Sequence, residues 1–244
     1  MSNLPSSREL EEASELEESA DRRLTALSTP TYIGIALDRS GSMFRIREAT
    51  VAGLNAYVRS LQNEGVAGAV SLTLFDTDGY PKERICLQRV WNALPIEQIR
   101  PLNESDYSPR GGTPLYDAIG RLIADMEREA LGAEKIVCVI QTDGQETSSE
   151  EFDLSTVRRL IARKQELGWL FIFLGADVDA FGFAQDFGIA PGQALTYSGR
   201  KSTDAFAALS RSTVSYAATS DAKLSAFTDA ERAQAVERLG SGKR

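Results

Sequence analysis

Short apolar runs alternate with longer segments of helical period along most of this chain. The runs have strand length and no polar face, which is typical of strands covered on both sides in a mostly parallel sheet; they are residues 32–37, 69–75, 135–142, 169–174 and 193–197. The segments between them repeat apolar residues every three or four positions and predict helices at 44–63, 113–129, 154–167, 179–187 and 203–217. This alternation predicts a doubly wound α/β fold with helices on both faces of one sheet.

One strand is predicted to run against the others. Residues 76–79, Asp-Thr-Asp-Gly, have the composition of a turn, and the strand-like run 83–91 follows within a few residues. A connection this short joins antiparallel neighbours, because a parallel pair needs a crossover of a dozen or more residues. The sequence therefore predicts a mostly parallel six-stranded sheet with five parallel strands and one antiparallel edge strand.

Residues 1–29 are predicted to form an acidic amphipathic helix. Ser6 and Glu9 have the spacing of a capping box, and apolar residues then follow at steps of three and four: Leu10, Ala13, Leu16, Ala20, Leu24 and Leu27. The other face is rich in glutamate. We expect this helix to lie over the domain or its edge; an oligomerisation or partner helix is the alternative interpretation.

The rest of the chain divides into a main domain at 30–217 and a C-terminal segment at 218–244. In the latter, Thr228 and Glu231 again have capping-box spacing and predict a helix at 228–239, ahead of a Gly- and Ser-containing end. A chain of 244 residues is long enough for one large domain or two small ones.

Charge and composition exclude several classes of function. The net charge is −8 and no basic stripe is present, so we expect no nucleic-acid partner. The chain contains no histidine, which removes Ser-His-Asp and Cys-His catalysis, HExxH zinc sites and imidazole bases. The two cysteines, Cys86 and Cys138, lie in strand-like contexts and favour a reducing compartment over a disulfide scaffold.

The sequence predicts a cytoplasmic protein. Its first residues, Met-Ser-Asn-Leu-Pro, lack the basic and apolar regions of a secretory signal. No run of about 18 apolar residues is present for a membrane span. We therefore expect no membrane association.

Oxygen-bearing side chains follow three separate strands or loops at one predicted edge of the sheet. Asp38, Ser40 and Ser42 come directly after the first strand, Thr113 follows Gly111-Gly112, and Asp143 follows the fourth strand. In doubly wound sheets these carboxyl-end loops meet at the topological switch point. An oxygen-only donor set favours a hard cation such as Mg²⁺ over zinc. Thr113 is also predicted to be the N-cap of the next helix, with Pro114 at its first position. The two preceding glycines predict a backbone that shifts at little cost.

These five residues resemble the metal-ion-dependent adhesion site of von Willebrand factor A (VWA) domains. The shared pattern is Asp-x-Ser-x-Ser, then Thr after Gly-Gly, then Asp in Thr-Asp-Gly, and the resemblance covers roughly residues 30–217. It implies a VWA or Rossmann-like fold of the intracellular prokaryotic or phage type. It also implies that Ser40 and Ser42 are direct ligands of the metal. Asp38 and Asp143 would then act mainly through water, and Thr113 directly or through water.

The resemblance further implies a binding protein that is not an enzyme. If both carboxylates stay outside the first coordination shell, the ion remains electrophilic, and an Asp or Glu of a partner protein completes the shell. The expected cofactor is Mg²⁺, with Mn²⁺ or Ca²⁺ as alternatives. We therefore expect a metal-dependent protein–protein interaction module, an adaptor or a subunit of a larger assembly. The oligomeric state stays open.

Two other functions remain open at this point. Asp76 and Asp78 follow an apolar run and precede a glycine, a pattern similar to the nucleophile motif of haloacid-dehalogenase-like phosphatases. A Mg²⁺-dependent hydrolase using this pair is therefore one alternative, although a hairpin turn explains the same residues. A metal-free interaction scaffold is the other, in which the site is empty and the helices at either end of the chain make the contacts. A purely structural interpretation is that Asp38 caps the helix beginning near Phe44. Four arginines near the metal-face loops either give the site positive potential or are solvated: Arg39, Arg45, Arg47 and Arg110.

Overall fold

The chain folds around a central strand, β1 (Thr31–Asp38), in which every residue is buried. The computed structural model describes residues 25, 27–79, 83–130 and 132–236. On one side β1 pairs in parallel with β2 (Gly68–Asp78), and on the other with β4 (Lys135–Thr142). A strand with neighbours on both sides and helices over both faces has no contact with solvent, which is why its sequence carries no polar alternation.

Within the described residues, the sheet has six strands in the order β3-β2-β1-β4-β5-β6. β5 (Leu170–Ala176) and β6 (Ala194–Tyr197) continue the parallel arrangement, and β3 (Arg84–Pro95) pairs antiparallel with β2 at the edge. The strand order reverses between β1 and β4, so the loops after these two strands open the crevice typical of such sheets. The predicted fold class is confirmed: this is a doubly wound, mostly parallel α/β sheet with one antiparallel edge strand and helices on both faces.

Helices cover both faces of the sheet. One face carries α1 (Arg47–Asn63) and α5 (Ser202–Thr219), which pack with Ile33, Ile35 and Leu37 of β1. The other face carries α2 (Leu115–Glu129), α3 (Leu154–Glu166) and α4 (Ala180–Phe187). A 3₁₀ segment, Gly41–Ile46, leads from β1 into α1, and further 3₁₀ turns are Ile96–Gln98, Glu104–Asp106, Pro191–Gln193 and Gly199–Lys201.

The antiparallel hairpin is longer than predicted. Residues 76–79 were expected to form its turn, but β2 continues through Asp78, and Asp76 pairs with Cys86 of β3. The turn prediction for Asp76 and Asp78 is therefore wrong. Residues 76–79 have the composition of a turn. Asp76 can nevertheless lie inside the edge of the sheet, because arginines from other parts of the chain neutralise its carboxylate.

Most of the predicted N-terminal helix falls outside the described residues. Thr25 and Leu27 are helical, and Leu27 is buried against the α1 face of the core. At the other end, α6 (Asp229–Ala235) begins with the capping box expected at Thr228 and Glu231. The Ser198 N–H donates to the Ala235 carbonyl, so α6 packs at the end of β6. No helix in the described part of the chain is long and apolar enough to span a bilayer.

We predict that Gly53→Ala destabilises the protein. Alanine in an exposed helix interior is worth about 1 kcal/mol more than glycine, but a Cβ at Gly53 would overlap the buried ring of Phe206 on α5. Overpacking of this kind costs about 1–3 kcal/mol. Urea denaturation measures the change in the free energy of unfolding.

A double-mutant cycle separates the cost of this steric clash from the difference in helix propensity between glycine and alanine. Phe206→Leu should relieve part of the cost of Gly53→Ala, which gives a favourable coupling between the two positions. Ala52→Gly, at the neighbouring exposed position, should show only the ordinary propensity loss of about 1 kcal/mol. A stabilising Gly53→Ala would contradict the proposed contact between α1 and α5.

Candidate metal centre

The Asp38 carboxylate at the end of β1 is fully buried. Its Oδ1 accepts a 2.7 Å hydrogen bond from the Ser40 N–H, and its Oδ2 accepts one from the Thr142 hydroxyl. The main-chain carbonyl of Asp38 accepts a hydrogen bond from the Tyr107 hydroxyl. Both the carboxylate and the backbone of Asp38 are thus fixed in orientation.

Ser40, Ser42 and Asp143 form a short chain of hydrogen-bonded oxygens beside Asp38. The hydroxyls of Ser40 and Ser42 are 3.1 Å apart, and the Ser42 hydroxyl donates a 2.6 Å bond to Asp143 Oδ1. Ser40 is buried, Ser42 is exposed and Asp143 is half-buried. The cluster therefore runs from the end of the sheet out to solvent.

Thr113 lies at the same cluster. A Cβ added to Gly144 would lie 3.6 Å from Thr113 Oγ1 and 3.8 Å from Ser42 Oγ, so both hydroxyls border that glycine. The Thr113 side chain is buried, and its hydroxyl makes no hydrogen bond to any other described residue. All five residues predicted for the site are therefore brought together.

The N-cap prediction for Thr113 is wrong. The cap of α2 is Pro114, with no side-chain cap bond. The backbone of Thr113 is instead held by Thr147, whose hydroxyl accepts from the Thr113 N–H and whose own N–H donates to the Thr113 carbonyl. The Thr113 hydroxyl is thus left to face the cluster.

The two glycines before Thr113 allow the backbone of this loop to lie very close to neighbouring segments. A Cβ at Gly111, where φ is +60°, would overlap the Thr77 carbonyl oxygen. The Gly112 N–H donates to Thr77 Oγ1 at 2.7 Å, and the Gly41 N–H donates to the Gly111 carbonyl at 3.0 Å. This segment is tied on both sides, to β2 and to the loop after β1, in contrast to the shifting backbone predicted from Gly111-Gly112.

Asp76 is held by two arginines next to this loop. Arg39 donates to it through Nε at 2.8 Å and Nη2 at 3.2 Å, and Arg110 donates through Nε at 2.9 Å. Asp76 has no solvent exposure and Arg39 is 4% exposed. A carboxylate with both oxygens committed to guanidinium groups is not positioned as a nucleophile, and the geometry does not favour the hydrolase alternative.

The four arginines near the site are placed differently from one another. Arg39 is buried and paired with Asp76, so it is neither solvated nor at the rim of the site. Arg110 is half-exposed and is paired with Asp76 and Asp78. Arg45 is exposed, and the Arg47 guanidinium lies 5.0 Å from the centre of the exposed Phe44 ring. Only Arg45 and Arg47 are left to contribute potential at the outer surface.

Burial makes negative charge unfavourable in this cluster. It raises the pKa of Asp38 from 3.8 to about 7, despite the opposing hydrogen bonds from Thr142 and Ser40. It also raises the pKa of Asp143, and the neighbouring charge of Asp177 adds to that effect. A divalent cation would favour both ionised forms.

Sequence reasoning missed Thr142, Tyr107 and Asp177. Strand register is the signal that finds Thr142: Leu37 pairs with Gln141, so the next residues, Asp38 and Thr142, are level across β1 and β4. Tyr107 reaches the cluster from a loop that carries no pattern in the sequence, whereas Asp177 follows the predicted strand at 169–174 and so lies at the same edge of the sheet as Asp38 and Asp143. Asp177 follows β5 with a φ of +56°, and its carboxylate accepts from the Gly199 N–H.

The donor chemistry fits a hard cation. Two carboxylates and three hydroxyls offer oxygen alone, which Mg²⁺, Mn²⁺ and Ca²⁺ prefer. In the described part of the chain, no group of three or more Asp, Glu, Cys or His side chains is arranged to hold a metal. This cluster differs in kind from such groups, because most of its donors are hydroxyls.

Fold and cluster together define a class: a Rossmann-like α/β domain with a hydroxyl and carboxylate cluster at its switch point. No protein-family model matches the chain, and no curated protein matches it. Similarity is found among solved structures. The pilus adhesin SpaC from Lactobacillus rhamnosus GG aligns with a TM-score of 0.55 and 16% identity over 77% of this chain and 31% of its own.

A second similar structure is proximal thread matrix protein 1 from the mussel byssus. It aligns with a TM-score of 0.53 and 13% identity, over 75% of this chain and 47% of its own. A form of that protein whose MIDAS motif is occupied by zinc aligns with a TM-score of 0.50 and 13% identity, over 75% and 48% of the two chains. This chain thus matches between about a third and a half of the length of these proteins, and identities this low show a shared fold alone.

We predict that metal-free protein loses stability as pH rises from about 4 to 7. In that window the unfolded chain releases the Asp38 proton while the folded chain keeps it, so the free energy of unfolding falls with pH. The shift to a pKa of about 7 corresponds to on the order of 4 kcal/mol. Urea denaturation in EDTA at several pH values measures this slope.

Asp38→Asn should remove most of that slope, because the amide does not titrate and still has one acceptor and one donor for Ser40 and Thr142. Asp186→Asn is the matched control, since Asp186 is an exposed carboxylate on α4. It should keep the wild-type slope. Equal slopes for Asp38→Asn and wild type would show that Asp38 titrates normally.

Proposed function

We propose that this protein is a metal-dependent protein–protein interaction module. Its site residues would be Asp38, Ser40, Ser42, Thr113 and Asp143, holding Mg²⁺, or Mn²⁺ or Ca²⁺ in its place. The observation that carries the proposal is the convergence of these five oxygen donors, from three loops, at the switch point of the sheet. When bound, the cation supplies an electrophilic position that accepts a carboxylate oxygen from a partner's Asp or Glu.

The residues of the proposed site have different roles. Asp38 is buried and oriented by Ser40 and Thr142, so it provides negative charge without a route to solvent. Ser42 and Asp143 form the outer side, where a partner side chain can approach. Arg45 and Arg47 are the nearby cationic groups that face outward and can attract an acidic partner.

We propose binding without catalysis. The chain has no histidine, and Asp76, the one nucleophile suggested by the sequence, is buried between Arg39 and Arg110. Two of the similar proteins add support by analogy, since one is a pilus adhesin and another has zinc in its MIDAS motif. An interaction unit at 30–217, flanked by segments 1–29 and 218–244, would hold the whole site.

A reducing, cytoplasmic location is part of the proposal. Cys86 and Cys138 are both free thiols, and Cys138 is fully buried. A chain that forms no disulfide between them suits such a compartment. The expected partners are proteins; the acidic net charge argues against nucleic acid.

We predict that Mg²⁺ or Mn²⁺ raises the melting temperature of the full chain. Binding to the native state at a concentration of 100 times the Kd adds ~2.7 kcal/mol, or roughly 5–10 °C for a chain of this size. Asp38→Ala should abolish the rise, and Ser40→Ala or Thr113→Ala should reduce it, because each removes an oxygen. Differential scanning calorimetry with and without EDTA measures it.

The control for this experiment is Asp186→Ala, which removes an exposed carboxylate away from the cluster and should respond to metal like wild type. A wild-type protein that neither binds Mg²⁺ or Mn²⁺ in titration calorimetry nor melts higher at millimolar metal would count against the site. A response that survives Asp38→Ala would place the metal elsewhere.

Partner capture tests the function itself. We predict that wild-type protein retains a partner from its native extract in Mg²⁺ and releases it in EDTA, and that Asp38→Ala retains none. Replacing the partner's acidic residues one at a time should identify one Asp or Glu whose amide abolishes retention. A partner held equally with EDTA and by Asp38→Ala would indicate a metal-free scaffold instead.

A further inference from the structure

A groove runs along the outer side of the two helices on the β1-core face. It has a volume of about 680 Å³ and is lined by α1 and α5. Its walls are mostly small or apolar side chains, including Ala56 of α1 and Phe206, Ala207, Val214 and Ala218 of α5. Small residues on neighbouring helices let a further helix approach closely.

The groove follows one continuous stripe of α5. Residues from Thr203 to Thr219 line it at steps of three and four, and α1 contributes Ala56, Ser60 and Glu64 at steps of four. Such spacing is that of a helix face. At the far edge of this face, Arg211 pairs with Glu231 of α6 and the Ser215 hydroxyl donates to the Leu224 carbonyl, so the groove lies between that edge and α1. Ile46 lies close to Gly199 and Tyr57 bonds to Thr213, so α1 and α5 run in the same direction.

The N-terminal segment enters the domain at one end of this groove. The Leu27 carbonyl accepts a hydrogen bond from the Ala67 N–H, three residues after Glu64, which lines the groove. Leu27 is 4% exposed and packs in the same core as α1 and α5. Leu27 therefore lies at the end of the groove formed by the C-terminus of α1.

We propose that residues 6–24 form a helix that docks in the groove between α1 and α5. The segment carries apolar residues at Leu10, Ala13, Leu16, Ala20 and Leu24, which need an apolar surface to cover them. A helix over residues 6–24 is about 27 Å long, and the groove from Thr203 to Thr219 is about 24 Å long by the same rise per residue. Length and attachment point thus match.

The charges of the segment suit this orientation. With the apolar stripe facing the groove, its glutamate-rich face points to solvent, and one flank approaches the exposed Arg59 of α1. Arg211 of α5 is already paired with Glu231 of α6. A tethered segment also competes well against free partners, because attachment at the groove raises its effective concentration to the millimolar range. This favours the chain's own segment over a second copy of the chain. The inference is independent of the metal site.

Paramagnetic broadening in the full chain tests the proposal. Ser14→Cys, at the flank of the predicted stripe, carries a nitroxide in a chain whose half-exposed thiol is removed by Cys86→Ser; Cys138 is buried and does not react. We expect strong broadening of amides at 56–64 in α1 and 203–219 in α5. Amides of α2, α3 and α4, on the opposite face of the sheet, should stay sharp.

Two variants make the test specific. Ala207→Glu places a charge on the exposed groove wall and should abolish the broadening, while Ala162→Glu, exposed on α3 on the opposite face of the sheet, should leave it intact. Unchanged core amide shifts in both variants establish that the domain is folded. Broadening that is absent, that falls on another surface or that survives Ala207→Glu would overturn the proposal.

A mixed sample separates this occupant from a second copy. Nitroxide-labelled chain without isotope is mixed with isotope-labelled chain without nitroxide, and amides at 203–219 should then stay sharp. Broadening in the mixture would show that the groove is filled by the segment of another copy and would overturn the intramolecular arrangement.

Discussion

A buried carboxylate at the end of the central strand is the constraint on which the site depends. Asp38 sits where β1 leaves the sheet, without solvent, and the neighbouring elements supply the donors that a buried charge or acid needs. The Ser40 N–H and the Thr142 hydroxyl bind its two oxygens, and Tyr107 holds its backbone. The carboxylate of Asp38 thereby fixes the loop after β1 against β4, and its main-chain carbonyl joins the same residue to the loop that leads to α2.

A second polar cluster supports the same loops from the edge side of the sheet. Asp76 of β2 joins Arg39, next to Asp38, with Arg110, three residues before Thr113. Removing one member of such a cluster would leave a buried charge uncompensated, which is costly. The two loops that carry hydroxyls for the site are therefore fastened to β2 by one carboxylate, so the cluster is structural where the sequence had suggested chemistry.

The sheet was predictable because buried strands and amphipathic helices differ in period. The proximity of the five candidate residues was predictable because they fall where predicted strands and loops end. The predictions that were wrong concern residues whose partners are distant in the sequence. The partners of Asp76 lie 34 and 37 residues away, so residues 76–79 looked like a turn. Thr113 has the composition of an N-cap, but Thr147 takes its backbone bonds. No local pattern carries that information.

In the proposed function, the close packing of Gly111 against Thr77 affects how fast a partner can bind. The contact between Gly111 and Thr77 leaves no room for a side chain, and the hydrogen bonds of Gly112 and Gly41 hold the segment before Thr113 on both sides. In the proposed function, a surface held in this way needs little rearrangement after a partner is encountered. Its association rate is then set by diffusion and orientation, on the order of 10⁵–10⁷ M⁻¹s⁻¹, and differences in affinity among partners appear as differences in residence time.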